Sequence, residues 1–329
     1  MESFVLRKEE KNMVKFGTGG WRAIIGEEFT KENIQKLALA LCLKIKAEHV
    51  EDQEIVIGYD RRFLSKEAVI WACQIFGKQG IKVLFVDRSS PTPLIMFYVM
   101  KHELPYGLMV TASHNPAIYN GIKVFTKGGR DADEHQTAQI EQYLVQAEKI
   151  YEKDDSEEGQ MPPHSYLDLV KSGMVVEMNP MNEYLDNIIS MINMDAIRER
   201  DLRIAIDPMY GVSLTALCTI LSIARCTVET INAQHDTLFG GKVPAPTEDT
   251  LRNLQNYVLD RYCDIGIATD GDADRLGVID DKGHYLHANT ILVMLYYYLL
   301  KYKGWRGPAV RNISTTHVLD RVAESFGQK

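Results

Sequence analysis

The chain has 329 residues, 45% of them apolar and 25% charged, which at the usual domain size of about 150 residues allows two domains and part of a third with well-filled cores. Its 45 acidic residues outnumber 37 basic ones, for a formal charge of -8, so there is no basic footprint for nucleic acid and an anionic substrate must meet a local basic or metal site. The longest apolar run, Ile291 to Leu300, is too short to span a bilayer and the opening MESFVLRKEEKN has no signal-peptide core, so the expected setting is the cytoplasm, away from membranes.

The first predicted element is a helix from about Lys31 to His49, with Ile34, Leu37, Ala38, Leu41 and Ile45 on one face and Thr30 as its N-cap. A buried-strand run, Glu54 to Asp60, follows. A helix capped by Ser65 and stopped near Gly80 leads to the strand Ile81 to Asp87, and a helix from about Pro93 leads to the strand GLMVTAS, ending at Ser113. Strand and helix alternating in this way predict a parallel α/β sheet covered on both faces.

A long polar helix, about Asp133 to Tyr151, precedes the charged, proline-bearing stretch KDDSEEGQMPPHS, which reads as a linker. The pattern then resumes with strands Leu202 to Pro208, Cys226 to Asn232 and Asp264 to Asp270, helices from about Ser213 and Thr247, and a hairpin over LGVIDDKGHYL. A helix from Asn289 to Tyr302, a short strand PAVRNIST and a helix ending near Phe326 open a third unit. The predicted domains are therefore 1–155, 156–288 and 289–329, the last interrupted because two helices and one strand cannot close a core. Five cysteines, odd in number and without a CxxC pair, lie in apolar segments and read as reduced core thiols.

Two places carry chemistry. Thr111-Ala-Ser-His-Asn-Pro116 follows a hydrophobic strand directly, where open α/β sheets place ligands. Ser113 there is either a nucleophile or a turn and capping residue, and no GxSxG elbow surrounds it. Asp270-Gly-Asp-Ala-Asp-Arg275 also follows a strand. Three carboxylates within five residues repel one another unless a cation gathers them, and hard oxygen donors suit magnesium or calcium. An EF-hand loop is excluded, since its sixth position is Arg275 and its twelfth is Asp281. A solvated acidic turn is the other reading.

With Phe16-Gly-Thr-Gly-Gly-Trp-Arg22 and Asn120-Gly-Ile-Lys123 these loops complete four motifs, in order, that resemble those of the α-D-phosphohexomutase family over nearly the whole chain. The resemblance implies successive three-layer α/β/α domains with mixed, mostly parallel sheets. It implies that Ser113 carries phosphate and that Asp270, Asp272 and Asp274 hold Mg²⁺ together with an oxygen of that phosphate. Lys123 becomes the general acid/base, while Arg22, His114 and Arg275 support the phosphoryl site. Plainer roles are open to each: surface pairing for Arg22 and Arg275, a solvated strand-end lysine for Lys123, a backbone brace for His114.

The implied reaction interconverts hexose 1-phosphate and hexose 6-phosphate, glucose before mannose, with hexose 1,6-bisphosphate as intermediate and activator. The segments GTGGWRAIIGEEFT and FGGKVPAP favour the phosphoglucomutase and phosphomannomutase branches over phosphoglucosamine mutases. The family's sugar-selecting loop and fourth-domain phosphate loop have no counterpart, so this chain alone is expected to bind metal without mutase turnover. A metal-dependent phosphatase and a non-catalytic phosphosugar-binding module are the competing expectations.

Overall fold

A computed structural model describes residues 14–17, 19–156 and 165–329. The opening segment, Thr18 of the first motif and linker residues 157–164 lie outside the described residues.

The first unit contains β1 (Phe16–Gly17), β2 (Gly20–Ile24), α1 (Lys31–Ala47), β3 (Ile55–Tyr59), α2 (Ser65–Lys78), β4 (Val83–Val86), α3 (Thr92–Lys101), β5 (Tyr106–Val110), β6 (Tyr119–Thr126), β7 (Arg130–Asp131), α4 (Glu134–Ser156), α5 (Tyr166–Lys171) and β8 (Val175–Met178). Its sheet runs β1-β2-β6-β5-β3-β4-β8, with β7 on β6. The strands β5, β3, β4 and β8 are parallel, and β6 and β2 are antiparallel additions at one side. Successive side chains leave a strand on opposite faces. Ile55 and Ile57 accordingly join a core with Leu37, Leu41 and Phe76 from α1 and α2, whereas Val56 joins Leu94, Ile95 and Val99 from α3. A sheet covered on both faces explains the unbroken apolar runs of β3, β4 and β5.

The second unit has α6 (Met181–Met191), α7 (Met194–Arg198), β9 (Arg203–Asp207), α8 (Leu214–Ile223), β10 (Thr227–Thr230), α9 (Arg252–Asp260), β11 (Ile265–Thr269), β12 (Leu276–Asp280) and β13 (Tyr285–Leu286). Its sheet order is β10-β9-β11-β12-β13, parallel across the first three strands and antiparallel thereafter. Helix α6 packs on both α3 and α8, joining the two units. Two further helices, α10 (Ala288–Lys301) and α11 (Val318–Ser325), pack on each other. No helix among the described residues is long and apolar enough to cross a membrane. Cys42 and Cys73 are buried in the first core, and burial pushes both thiols up.

Thr30 caps α1 as predicted, its side chain accepting from the Asn33 N–H at 3.3 Å. Other expectations need correction. Ser65 is the first residue of α2 rather than its cap, because its hydroxyl donates to Asp60 Oδ1 instead of accepting from the helix. Strand β5 stops at Val110, three residues short of Ser113, where the chain turns into a left-handed conformation. Helix α9 begins at Arg252 rather than near Thr247, whose N–H is bound to Thr250 Oγ1 in a turn. PAVRNIST forms no strand, since among the described residues no strand lies beside it to complete a ladder. Strand β8 belongs to the first sheet, so that sheet reaches past the predicted boundary at residue 155 to Met178.

The close approach of β2 to β6 fixes one glycine. A Cβ on Gly121 would lie 2.1 Å from the Trp21 carbonyl oxygen and 3.0 Å from that of Thr111, both backbone atoms that cannot swing away. Gly121→Ala is therefore expected to cost about 1–3 kcal/mol, the usual scale of overpacking. Urea denaturation would measure it, and an unchanged midpoint would mean that β2 and β6 are not this close.

Candidate active site

The two units bring the carboxyl ends of β5 and β11 face to face. Ser113, on the loop after β5, is 1% exposed, and its hydroxyl donates to Asp270 Oδ2 at 2.7 Å. His114 Nδ1 lies 3.3 Å from the same hydroxyl. Asp270 is the last residue before the turn that reverses β11 into β12. Its other oxygen accepts the backbone N–H groups of Asp274 and Arg275, both at 3.0 Å, so the acidic loop folds back on its own first carboxylate.

Lys123 projects from the middle of β6 rather than from a strand end, and is 5% exposed. Its ammonium reaches Asp272 Oδ2 at 2.7 Å and Asp274 Oδ2 at 2.6 Å. Thr92, at the start of α3, donates its hydroxyl to Asp272 Oδ2 at 2.6 Å and its backbone N–H to the Asp272 carbonyl at 2.9 Å. The second unit's loop thus satisfies an orphan donor at a helix N-terminus of the first. Arg22, on β2, donates to Asn115 Oδ1 of the serine loop at 3.1 Å. Arg275 is half-exposed, its Nε 4.0 Å from Asp274 Oδ1. All eight predicted site residues therefore meet around one junction.

The electrostatics follow from crowding like charges in a dry place. Burial, then the neighbouring Asp272 and Asp274, raise Asp270 to about 8. Burial also pushes Asp272 upward, but the Lys123 ammonium outweighs it and holds that carboxyl below the usual range. Burial alone would lower Lys123; the paired carboxylates reverse this and raise it. Burial, with Arg275 and Arg22 adding to it, lowers His114 and favours its neutral ring.

The triad suits a hard cation. One carboxylate oxygen each from Asp270, Asp272 and Asp274 lie within 4.8 Å of one another, and Asp272 Oδ1 is buried without a hydrogen-bond partner. An orphaned carboxylate oxygen among clustered carboxylates is the donor set that oxygen-seeking divalent ions take.

Three participants escape the motif reading: Asp60, Arg62 and Thr92. Asp60 and Arg62 directly follow β3, so the rule that places ligands past strand carboxyl ends applies to them as it does to Ser113.

An α/β protein that sets a serine loop of one sheet against a loop of clustered carboxylates from another defines the class. The chain belongs to the phosphoglucomutase/phosphomannomutase family: residues 13–151 match its alpha/beta/alpha domain I and residues 182–283 its domain II. It is 29% identical over 95% of its length to the "Phosphoglucomutase/phosphomannomutase" of Thermococcus kodakarensis, covering 65% of that protein. It is 30% identical, also over 95% of its length, to the "Probable phosphoglucosamine mutase" of Pyrococcus abyssi, covering 63%. The crystal structure of a "putative phosphomannomutase" from Thermus thermophilus superposes with a TM-score of 0.83 at 27% identity, over 97% of this chain and 68% of that one. The chain thus spans just under two thirds of the length of the Thermococcus and Pyrococcus relatives.

Proposed function

We propose that this protein works as a phosphohexomutase that interconverts hexose 1-phosphate and hexose 6-phosphate through a phosphorylated Ser113, with glucose phosphates as first substrates and mannose phosphates as second. The observation that carries this reading is the 2.7 Å contact between the Ser113 hydroxyl and Asp270, within a carboxylate triad whose other two members hold Lys123. Asp270, Asp272 and Asp274 would hold Mg²⁺ with an oxygen of the Ser113 phosphate, and the ion would supply Lewis-acid stabilisation of the transferring group.

The remaining work falls to the chain itself. Phosphoryl transfer asks a protein mainly for positioning and charge stabilisation. Phosphorylated Ser113 gives its phosphoryl group to the free hydroxyl of the hexose monophosphate, forming hexose 1,6-bisphosphate; Lys123, an ammonium while paired with Asp272 and Asp274, gives its proton to the departing Ser113 oxygen and takes up the one that the hydroxyl loses. After the sugar turns over, its other phosphate returns to Ser113. Arg22 and Arg275 bring positive charge to the phosphoryl oxygens, and neutral His114 can hydrogen-bond them or the serine oxygen. Hexose 1,6-bisphosphate also serves as activator, since it can phosphorylate a bare Ser113.

A second reading, amino-sugar phosphates as substrates, is favoured by the names of several relatives, the Pyrococcus abyssi protein among them. Incubating the chain with Mg²⁺ and either glucose, mannose or glucosamine 1,6-bisphosphate tests all of these. The expected result is phosphate on Ser113 by peptide mass spectrometry, with stoichiometric hexose monophosphate and the fastest transfer from the glucose compound. Faster transfer from the glucosamine compound would select the second reading. Catalytic release of inorganic phosphate would make the protein a phosphatase, and no transfer at all would leave a binding module.

A further inference from the structure

Ser113 has a φ of 52°, in the left-handed region that residues other than glycine seldom hold. Two contacts fix it there. Its N–H donates to Thr111 Oγ1 at 2.8 Å, and its carbonyl accepts from Arg62 Nη2 at 2.7 Å. The same Nη2 donates to the Asn115 carbonyl at 2.6 Å, while Nη1 donates to those of Pro116 and Tyr119, both at 2.9 Å. The two Nη groups carry four N–H donors, and each has a carbonyl partner in the loop from Ser113 to Tyr119. The residue is 3% exposed.

Both holds on Ser113 lead back to Asp60. Its Oδ2 accepts the Thr111 hydroxyl at 2.6 Å and lies 3.4 Å from Arg62 Nε, and its Oδ1 accepts the Ser65 hydroxyl at 3.0 Å and the Arg62 N–H at 2.9 Å. From the second unit, the Phe239 ring lies with its centroid 4.9 Å from the guanidinium carbon. The same ring would be 3.4 Å from a Cβ placed on Gly271, the residue after Asp270. One aromatic ring therefore lies against the side chain that shapes the serine loop and fills the space where a side chain on the acidic loop's Gly271 would stand.

We infer that Arg62 is a positioning residue for phosphoryl transfer: fixed by Asp60, its guanidinium holds four loop carbonyls so that Ser113 Oγ faces Asp270, and Phe239 ties this geometry to the docked second unit. The inference rests on the phosphoserine reading above. Lysine cannot replace it, because an ammonium is a compact charge with three donors where the loop needs a planar fork with four.

The test follows phosphorylation of Ser113 by glucose 1,6-bisphosphate in the unaltered chain, Arg62→Lys and Arg62→Ala, with Mg²⁺ binding measured by calorimetry. Arg62→Lys is expected to slow phosphorylation about 100-fold, the usual consequence of misplacing a reacting group by an ångström. In Arg62→Lys, Mg²⁺ affinity should stay the same, since the positive charge is kept and Arg62 donates to none of the triad carboxylates. In Arg62→Ala, added methylguanidinium should restore part of the rate. Phosphorylation of Arg62→Lys at the unaltered rate, or a parallel loss of Mg²⁺ binding, would overturn the inference. So would failure of both variants to fold, which would place Arg62 in the fold alone. No phosphate on Ser113 of the unaltered chain would instead defeat the phosphoserine reading, and this inference with it.

Discussion

Ser113→Ala is expected to abolish uptake of phosphate from hexose 1,6-bisphosphate, a fall of about 10⁵- to 10⁶-fold, on the scale of removing the nucleophile from a set of groups that act together. The fold should survive. Alanine tolerates the 52° φ no worse than serine does, and the lost contacts are the hydrogen bond to Asp270 and the longer one with His114 Nδ1, together worth about 1–2 kcal/mol. Mg²⁺ binding should persist, because the triad carboxylates all remain. Stopped-flow quench with intact-mass detection measures the first effect, and thermal denaturation with calorimetric Mg²⁺ titration the other two. Phosphate appearing on the alanine variant at the normal rate would move the nucleophile to another residue and end the mechanism proposed here.

Asp272→Asn should have the second largest effect, and it acts on metal binding and stability together. The wild-type carboxylate is wholly buried, accepts from Thr92 and Lys123 through Oδ2, and leaves Oδ1 without a partner. The amide keeps the shape, removes the charge and puts an NH₂ where one oxygen stood. The Lys123 ammonium is then buried with Asp274 as its remaining counter-charge. Removing one partner of a buried pair usually costs about 3–5 kcal/mol, and the surviving Asp274 places the expected loss near the lower end, about 3 kcal/mol. Phosphoryl transfer should lose several kcal/mol more of transition-state stabilisation, the scale of a Lewis-acid contribution. Asp274→Asn should be milder for stability, because its side chain is 29% exposed and water screens the change. Mg²⁺ titration of the two variants, with urea denaturation alongside, checks the order. Undiminished Mg²⁺ affinity in Asp272→Asn would remove the triad as the metal site.

How much of the fold and site was legible in the sequence depended on where chemistry coincided with local pattern. The strands β3, β4 and β5 are short apolar runs because the first sheet is covered on both faces, and β9 and β11 are runs of the same kind, so their existence showed at once. Strand β6 did not, since Asn120 and Lys123 interrupt its apolar residues; they are tolerated inside because Asn120 bonds Ser65 and the Phe63 carbonyl and Lys123 bonds two aspartates. Those partners lie far off in sequence, and periodicity is blind to them. The opening hairpin of β1 and β2 is glycine-rich and two to five residues per strand, too short to announce itself. Ser113 and the three aspartates were legible as candidates because they sit together in two loops at strand ends, and the resemblance of those loops to a family's motifs gave them their expected roles. Arg62 was not, although it follows β3 in the same way, because a single buried arginine gains its meaning only from four carbonyls that come near when the loop after β5 folds over it.

The contacts that assemble the site span long stretches of chain: 149 residues separate Lys123 from Asp272, 157 separate Ser113 from Asp270 and 180 separate Thr92 from Asp272. During synthesis the serine loop and its lysine therefore emerge well before any of the carboxylates they face. At about 5–20 residues per second, the nascent first unit waits roughly 8–30 s for its counter-charges. For that interval Lys123 on β6 has neither Asp272 nor Asp274 to pair with, and the N-terminus of α3 lacks the carbonyl that later accepts from it. A ribosome-bound first unit thus lacks every carboxylate of the triad until the second sheet has emerged and docked.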